Sequence, residues 1–147
     1  MKLLFVAALL AAAPALAQER LIEPSAPDSA RATALTVLKH LAAGDLEQAA
    51  ALSNAPKQRL ELLRGYRDSI GEDEFKRRFG LFFAPDNRVI AEVAIGPRRL
   101  LVWELGDSQL AGQFYIEVDG RFLMDDVPGR ERDELRQVLR RYRKQQD

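Results

Sequence analysis

The sequence predicts an α+β fold in which helices pack on an antiparallel sheet, and three observations carry that reading. From residue 88 to residue 124, apolar and polar side chains alternate with period two through several short runs. Those runs are separated by turn formers, namely Gly96-Pro97-Arg98, Gly106-Asp107-Ser108 and Asp119-Gly120. Asp-Gly suits a two-residue hairpin turn with positive φ at both central positions. On either side of the sheet region the apolar residues recur at helical spacing instead.

The first seventeen residues read as a secretory signal peptide. Lys2 supplies a positive start, residues 3–13 are an unbroken apolar run, and Ala15-Leu16-Ala17 fits a small-x-small cleavage site. The run is too short to span a bilayer as an anchor. The expectation is therefore cleavage after Ala17, a periplasmic or secreted protein, and no stable membrane insertion afterwards. There is no cysteine, which excludes both a lipid-anchored lipoprotein and a disulfide framework. Of the 22 basic side chains only Lys2 lies in residues 1–17, so 21 remain against 22 acidic ones. That near-neutral balance argues against a nucleic-acid partner.

Residues 18–27 contain two prolines and no periodicity, and are expected to be a flexible lead into one domain over residues 28–147. In residues 28–43, Ala30, Ala34, Val37, Leu38 and Leu41 make one helical face that Gly44 terminates, with Asp28 or Ser29 able to cap its start. Asp45 and Gln48 have capping-box spacing for a short second helix. Pro56 opens a third with Leu60, Leu63, Tyr66 and Ile70 on one side, and Gly71 stops it. Glu72, Asp73 and Glu74 crowd a fourth N-terminus, followed by Phe75, Phe79, Phe82 and Phe83 as a core-facing stripe.

Four strands are expected over residues 88–95, 99–105, 109–118 and 121–124. The turns imply Val93 opposite Leu101, Trp103 opposite Gly112, Leu101 opposite Phe114, and Val118 opposite Arg121. One face then collects Val93, Leu101, Trp103, Phe114, Ile116 and Leu123. The other carries Glu92, Glu104, Gln113 and Glu117 beside Leu100, Val102, Tyr115, Phe122 and Met124. A final helix over residues 130–145 has the apolar stripe Leu135, Val138, Leu139 and Tyr142 on an otherwise basic surface, and suits docking on that mixed face.

Helix, the Gly-Asp turn in Ala42-Ala43-Gly44-Asp45-Leu46-Glu47, more helix and then a curled meander resembles the nuclear-transport-factor-two-like superfamily, also called steroid-isomerase-like or cystatin-like, in its small exported bacterial form. The resemblance covers about residues 29–124, and the last helix is an addition to it. It implies a cone-shaped half-barrel whose concave sheet face and helices enclose a pocket. Members include isomerases, hydrolases and non-catalytic binding modules; the catalytic ones aim a carboxylate base with Tyr, Asp or His donors into the cone.

The expected inner face carries no such carboxylate, so no catalytic residue is assigned. His40, on the flank of the first helix, stands alone. Pocket candidates are Tyr66, Phe79, Trp103, Phe114 and Arg121. Interface candidates are Leu100, Val102, Tyr115, Phe122, Leu135, Leu139 and Tyr142. Asp125, Asp126, Glu131 and Asp133 lack the spacing and central glycine of a calcium loop, so neither a metal nor another cofactor is expected. Three functions stay open: a non-catalytic exported module holding a small apolar ligand, an interaction subunit or homodimer using the outer sheet face or last helix, and an isomerase-like or hydrolase-like enzyme.

Overall fold

Glycine and proline divide the chain into short helices followed by short strands, and the computed structural model, which describes residues 18–146, shows both. Helix α1 spans Arg31–Ala43, α2 Leu46–Ala50, α3 Pro56–Ile70 and α4 Glu72–Gly80, with one 3-10 turn over Leu81–Phe83. The α1 helix stops where Gly44 adopts φ +79, a left-handed conformation that glycine reaches without a Cβ clash. The N–H of Asp45 then closes on the His40 carbonyl at 2.9 Å. Pro56 takes the first turn of α3, where its missing N–H costs nothing. The Asp45 capping bond expected from the sequence is not made; its side chain leaves α2 uncapped.

The sheet has five antiparallel strands rather than four, in the order β1-β2-β3-β4-β5. Strands β2 to β5 are Arg88–Ile95, Arg98–Glu104, Leu110–Val118 and Arg121–Met124. The extra strand, β1, is Glu19–Ile22 in the segment expected as an irregular lead; it pairs with β2 from Glu19 opposite Ile95 to Ile22 opposite Glu92. Both prolines of that segment, Pro24 and Pro27, lie beyond the strand, so they interrupt nothing.

Only the last hairpin has the expected register. Asp119 and Gly120 both have positive φ, 51° and 75°, and Val118 faces Arg121. In the β2–β3 hairpin the turn is two residues, with Gly96 at φ +57 before Pro97, so Val93 faces Leu100 and not Leu101. In the β3–β4 hairpin Ser108 is left-handed at φ +65, Leu105 bonds to Gln109, and Trp103 faces Ala111 and not Gly112. Each miscount is one residue, and one residue reverses a strand's faces. A bulge between Val89 and Ala91 shifts β2 once more.

Both sheet faces are consequently covered. Leu101, Trp103, Tyr115 and Met124 pack under α1 to α4 in one cluster with Val37, Leu38, Leu41, Leu63 and Phe75. Val93, Ile95, Leu100, Val102 and Leu110 pack under α5, Arg130–Lys144, through Leu135, Val138 and Leu139. Tyr142 and Phe114 lie at the edge of that second cluster. The last helix docks as expected against Leu100 and Val102, but Tyr115, Phe122 and Met124 belong to the opposite face.

Candidate functional site

Strand β5 is shorter than β4, and its four residues pair only with residues 115–118 of β4. The first half of β4 therefore has an open edge, and a cavity of about 190 Å³ lies beside it, under the helices. Its walls are Val37 and Leu41 of α1, Leu63 of α3, Phe79 of α4 and Met124 of β5, with Phe114 at its rim on the open edge of β4. Polar groups enter from Arg59, Gln113, Tyr115 and Asp125. The Phe114 carbonyl accepts the Asp125 N–H at 3.0 Å and the Leu110 carbonyl accepts Arg143 Nη2 at 3.1 Å, both on the side away from β3. By strand alternation the Gly112 N–H and C=O face the same open edge.

Gln113 and Tyr115 reach the cavity because the register is not the one expected. The indole N–H of Trp103 donates to Gln113 Oε1 at 2.9 Å. That bond fixes the amide orientation, so its NH2 group remains as a donor. Tyr115 is 2% exposed. Burial pushes its phenol above the usual range, against a smaller downward pull from Arg59. The phenol lines the cavity wall and is not among the fully buried polar atoms left without a partner, which among the described residues are Arg99 Nε and Arg132 Nε.

The carboxylates near the cavity are already engaged. Asp126 accepts Arg59 Nε at 2.9 Å and also bonds Arg59 Nη2 and the Ser53 hydroxyl. Asp125, buried, accepts Asn54 Nδ2 at 3.0 Å and pairs with Arg98, which also reaches the Val127 carbonyl at 3.1 Å. Together they tie the start of α3 to the end of β5. The expectation of no carboxylate on the helix-facing side is overturned by Glu92, which is fully buried there. It accepts Arg99 Nη1 at 2.6 Å, the Ser29 hydroxyl at 2.5 Å and the Ala30 N–H at 3.1 Å, serving as the sheet-borne cap of α1. Glu104 stays on the other face, paired with Arg88 at 3.2 Å. The cavity therefore offers donors, while the carboxylates have cations or hydroxyls on their lone pairs. General-base chemistry needs a carboxylate free to take a proton.

Of the residues proposed from sequence for a pocket, Phe79 lines the cavity, and Phe114 borders it at the strand edge with its ring on the opposite, α5-covered face, under the Arg136 guanidinium at 6.0 Å. Trp103 acts one step away through Gln113 and stacks edge-on to Phe82 at 5.4 Å. Tyr66 is outside, with its hydroxyl accepting Arg78 Nη1 at 2.8 Å and its ring against Phe75 and Phe79. Arg121 is exposed at the tip of the last hairpin. Among the interface candidates, Leu100, Val102, Leu135 and Leu139 are spent on packing within the chain. Tyr142 packs at the edge of the same cluster, Phe122 carries the Arg99 guanidinium on its ring at 4.9 Å, and Tyr115 is a cavity residue. Arg59 and Gln113 were missed because each looks like a surface residue in its own segment.

No family model, no curated protein and no solved structure matches the chain. Among the described residues no helix is long and apolar enough to cross a membrane.

The Tyr115 environment predicts a measurable pH effect. Folding keeps the phenol protonated above pH 10, where the unfolded chain has begun to lose that proton, so the native state binds more protons and its stability falls as pH rises. The difference in absorbance between wild type and Tyr115→Phe at the phenolate band should stay flat to about pH 11 while the protein is folded. A phenolate step near pH 10 in that difference would place the hydroxyl in water.

Proposed function

We propose that the chain is an exported, non-catalytic binding module of the nuclear-transport-factor-two-like plan, and that the cavity between α1, α3, α4 and β4 is its ligand site. Supporting the fold reading, four helices precede an antiparallel meander and lie on one of its faces. The covering of the other face by α5 is the addition. The export reading rests on Lys2, the apolar run of residues 3–13 and Ala15-Leu16-Ala17, which fall outside the described residues.

The observation that carries the ligand reading is the cavity itself, in whose wall the Tyr115 side chain, which makes no side-chain hydrogen bond among the described residues, stands among apolar residues. Beside it are the Gln113 amide and the apolar walls. The ligand is thus compact, with an apolar body and a hydrogen-bond-accepting head, and not the wholly apolar molecule expected from sequence. The volume suits one ring or a short branched chain, since about 150 Å³ already holds a benzene ring.

Thermal unfolding in the presence of cyclohexanone, benzoate and toluene tests this. The two acceptor-headed probes should raise the melting temperature by about 5 °C at tenfold excess over their dissociation constants. Toluene should do less, and Tyr115→Phe should lose the difference. If all three probes act alike in both proteins, or none acts, the donors are not addressing a ligand.

A further inference from the structure

We propose that the second half of α5, with the neighbouring tip of β1, is a docking surface for an anionic phospholipid membrane. The chain as a whole is electrically neutral, yet Arg136, Arg140, Arg141, Arg143 and Lys144 fall within nine residues that contain no acid. The charge is therefore segregated on one element.

Packing decides which way it faces. Leu135, Val138 and Leu139 are buried against the sheet, so the opposite side of the helix is left to solvent. Arg136, Arg140 and Lys144 succeed one another at i, i+4 and i+8 and are all exposed, with Arg140 and Lys144 on that outer side and Arg136 on the flank towards Phe114. Arg140 and Lys144 have no acidic partner among the described residues, and Arg136 only approaches Asp133 at 3.9 Å. Stacking like charges at this spacing weakens a helix. The helix dipole compensates cations in the last turn, but it does not reach back to Arg136 or Arg140. Arg136 has a second contact within the chain, its guanidinium lying 6.0 Å over the Phe114 ring, whereas Arg140 has no charged or aromatic partner among the described residues, and a binding role accounts for it.

The lipid reading, as against another polyanion, rests on β1. Arg141 is bonded to Glu19 at 2.6 Å, and this joins the strand to the helix along a groove of about 320 Å³. On that groove, which the Glu19–Arg141 pair also lines, Leu21 is 77% exposed next to Arg20, which has no acidic partner among the described residues. A protruding apolar side chain beside an unpaired cation suits the boundary between headgroups and acyl chains. The apolar stripe of α5 is not available for insertion, so the association is a salt-sensitive surface contact.

Protein recovered from cells expressing the full chain is mixed with phosphatidylcholine vesicles, with and without about 30 mol % phosphatidylglycerol, and bound protein is measured by flotation. Binding is expected only to the anionic vesicles and should be lost at about 0.5 M salt. At about fivefold per cation, the triple variant Arg136→Gln, Arg140→Gln, Lys144→Gln should bind roughly 100-fold more weakly. Its melting temperature should match the parent's, which separates a lost surface from a lost fold. Leu21→Ser should weaken binding several-fold. Equal binding to neutral and anionic vesicles, undiminished binding of the triple variant, or no binding at all overturns the proposal. So does a short DNA duplex that displaces the protein from the vesicles, since the surface would then be a general polyanion site.

Discussion

Arg99→Leu is expected to cost about 3–5 kcal/mol of folding stability, the penalty for leaving a buried charge without its counter-ion. Arg99 is 3% exposed and Glu92 is 0% exposed, and neither can turn to water without opening the layer between α1 and the sheet. The guanidinium Nη1 also donates to the Asp28 carbonyl at 3.0 Å, so its loss also unties the turn that leads into α1. What remains around the Glu92 carboxylate is the Ser29 hydroxyl and the Ala30 N–H, too little to replace a cation. The double variant Glu92→Leu, Arg99→Leu should recover most of the loss, because replacing a buried pair by apolar side chains is often neutral. Urea unfolding of the two single variants and the double variant gives the coupling. A single-variant cost under about 1 kcal/mol would mean that water reaches the pair.

Much of this architecture is legible from the sequence. Gly44 and Gly71 mark helix ends by backbone conformations that other residues adopt only at a cost, Pro56 marks the start of α3 by its fixed helical φ and missing N–H, and the Asp119-Gly120 turn sets its register unaided. The other two hairpins are not legible, because loop length there differs by one between equally sensible readings. Gly96-Pro97-Arg98 reads as three loop residues but Arg98 is already in β3, opposite Ile95. Asp107-Ser108 reads as a two-residue tip, but a left-handed Ser108 makes the loop longer. Hydrophobic pattern normally decides between two registers, since the wrong one exposes the apolar face. It cannot decide here, because Leu100, Leu101, Val102 and Trp103 are apolar in succession and α5 shelters the face that would otherwise be wet. The candidate site inherits this. Gln113 and Tyr115 become cavity residues only after the β4 register is known, whereas Phe79 follows from helical spacing alone.

The observed register puts Val102 and not the expected Trp103 opposite Gly112, and Leu139 is where the role of that glycine can be tested. Trp103 does not need the space that glycine leaves; Val102 is the residue opposite, and the missing side chain is occupied from the α5 side. A Cβ on Gly112 would stand 2.5 Å from Leu139 Cδ2 and 3.2 Å from Leu100 Cδ1. Leu139→Ala should cost about 2–5 kcal/mol as a buried large-to-small change. Gly112→Ala alone should cost about 1–3 kcal/mol, because Leu139 has to leave its place in a packed cluster. The two together should cost less than their sum, since the alanine methyl at position 112 enters the space that Leu139 has vacated, and contacting residues couple by about 0.5–3 kcal/mol. Strict additivity in thermal or urea unfolding would mean that α5 does not rest on Gly112, and the covered outer face of the sheet would have to be explained in another way.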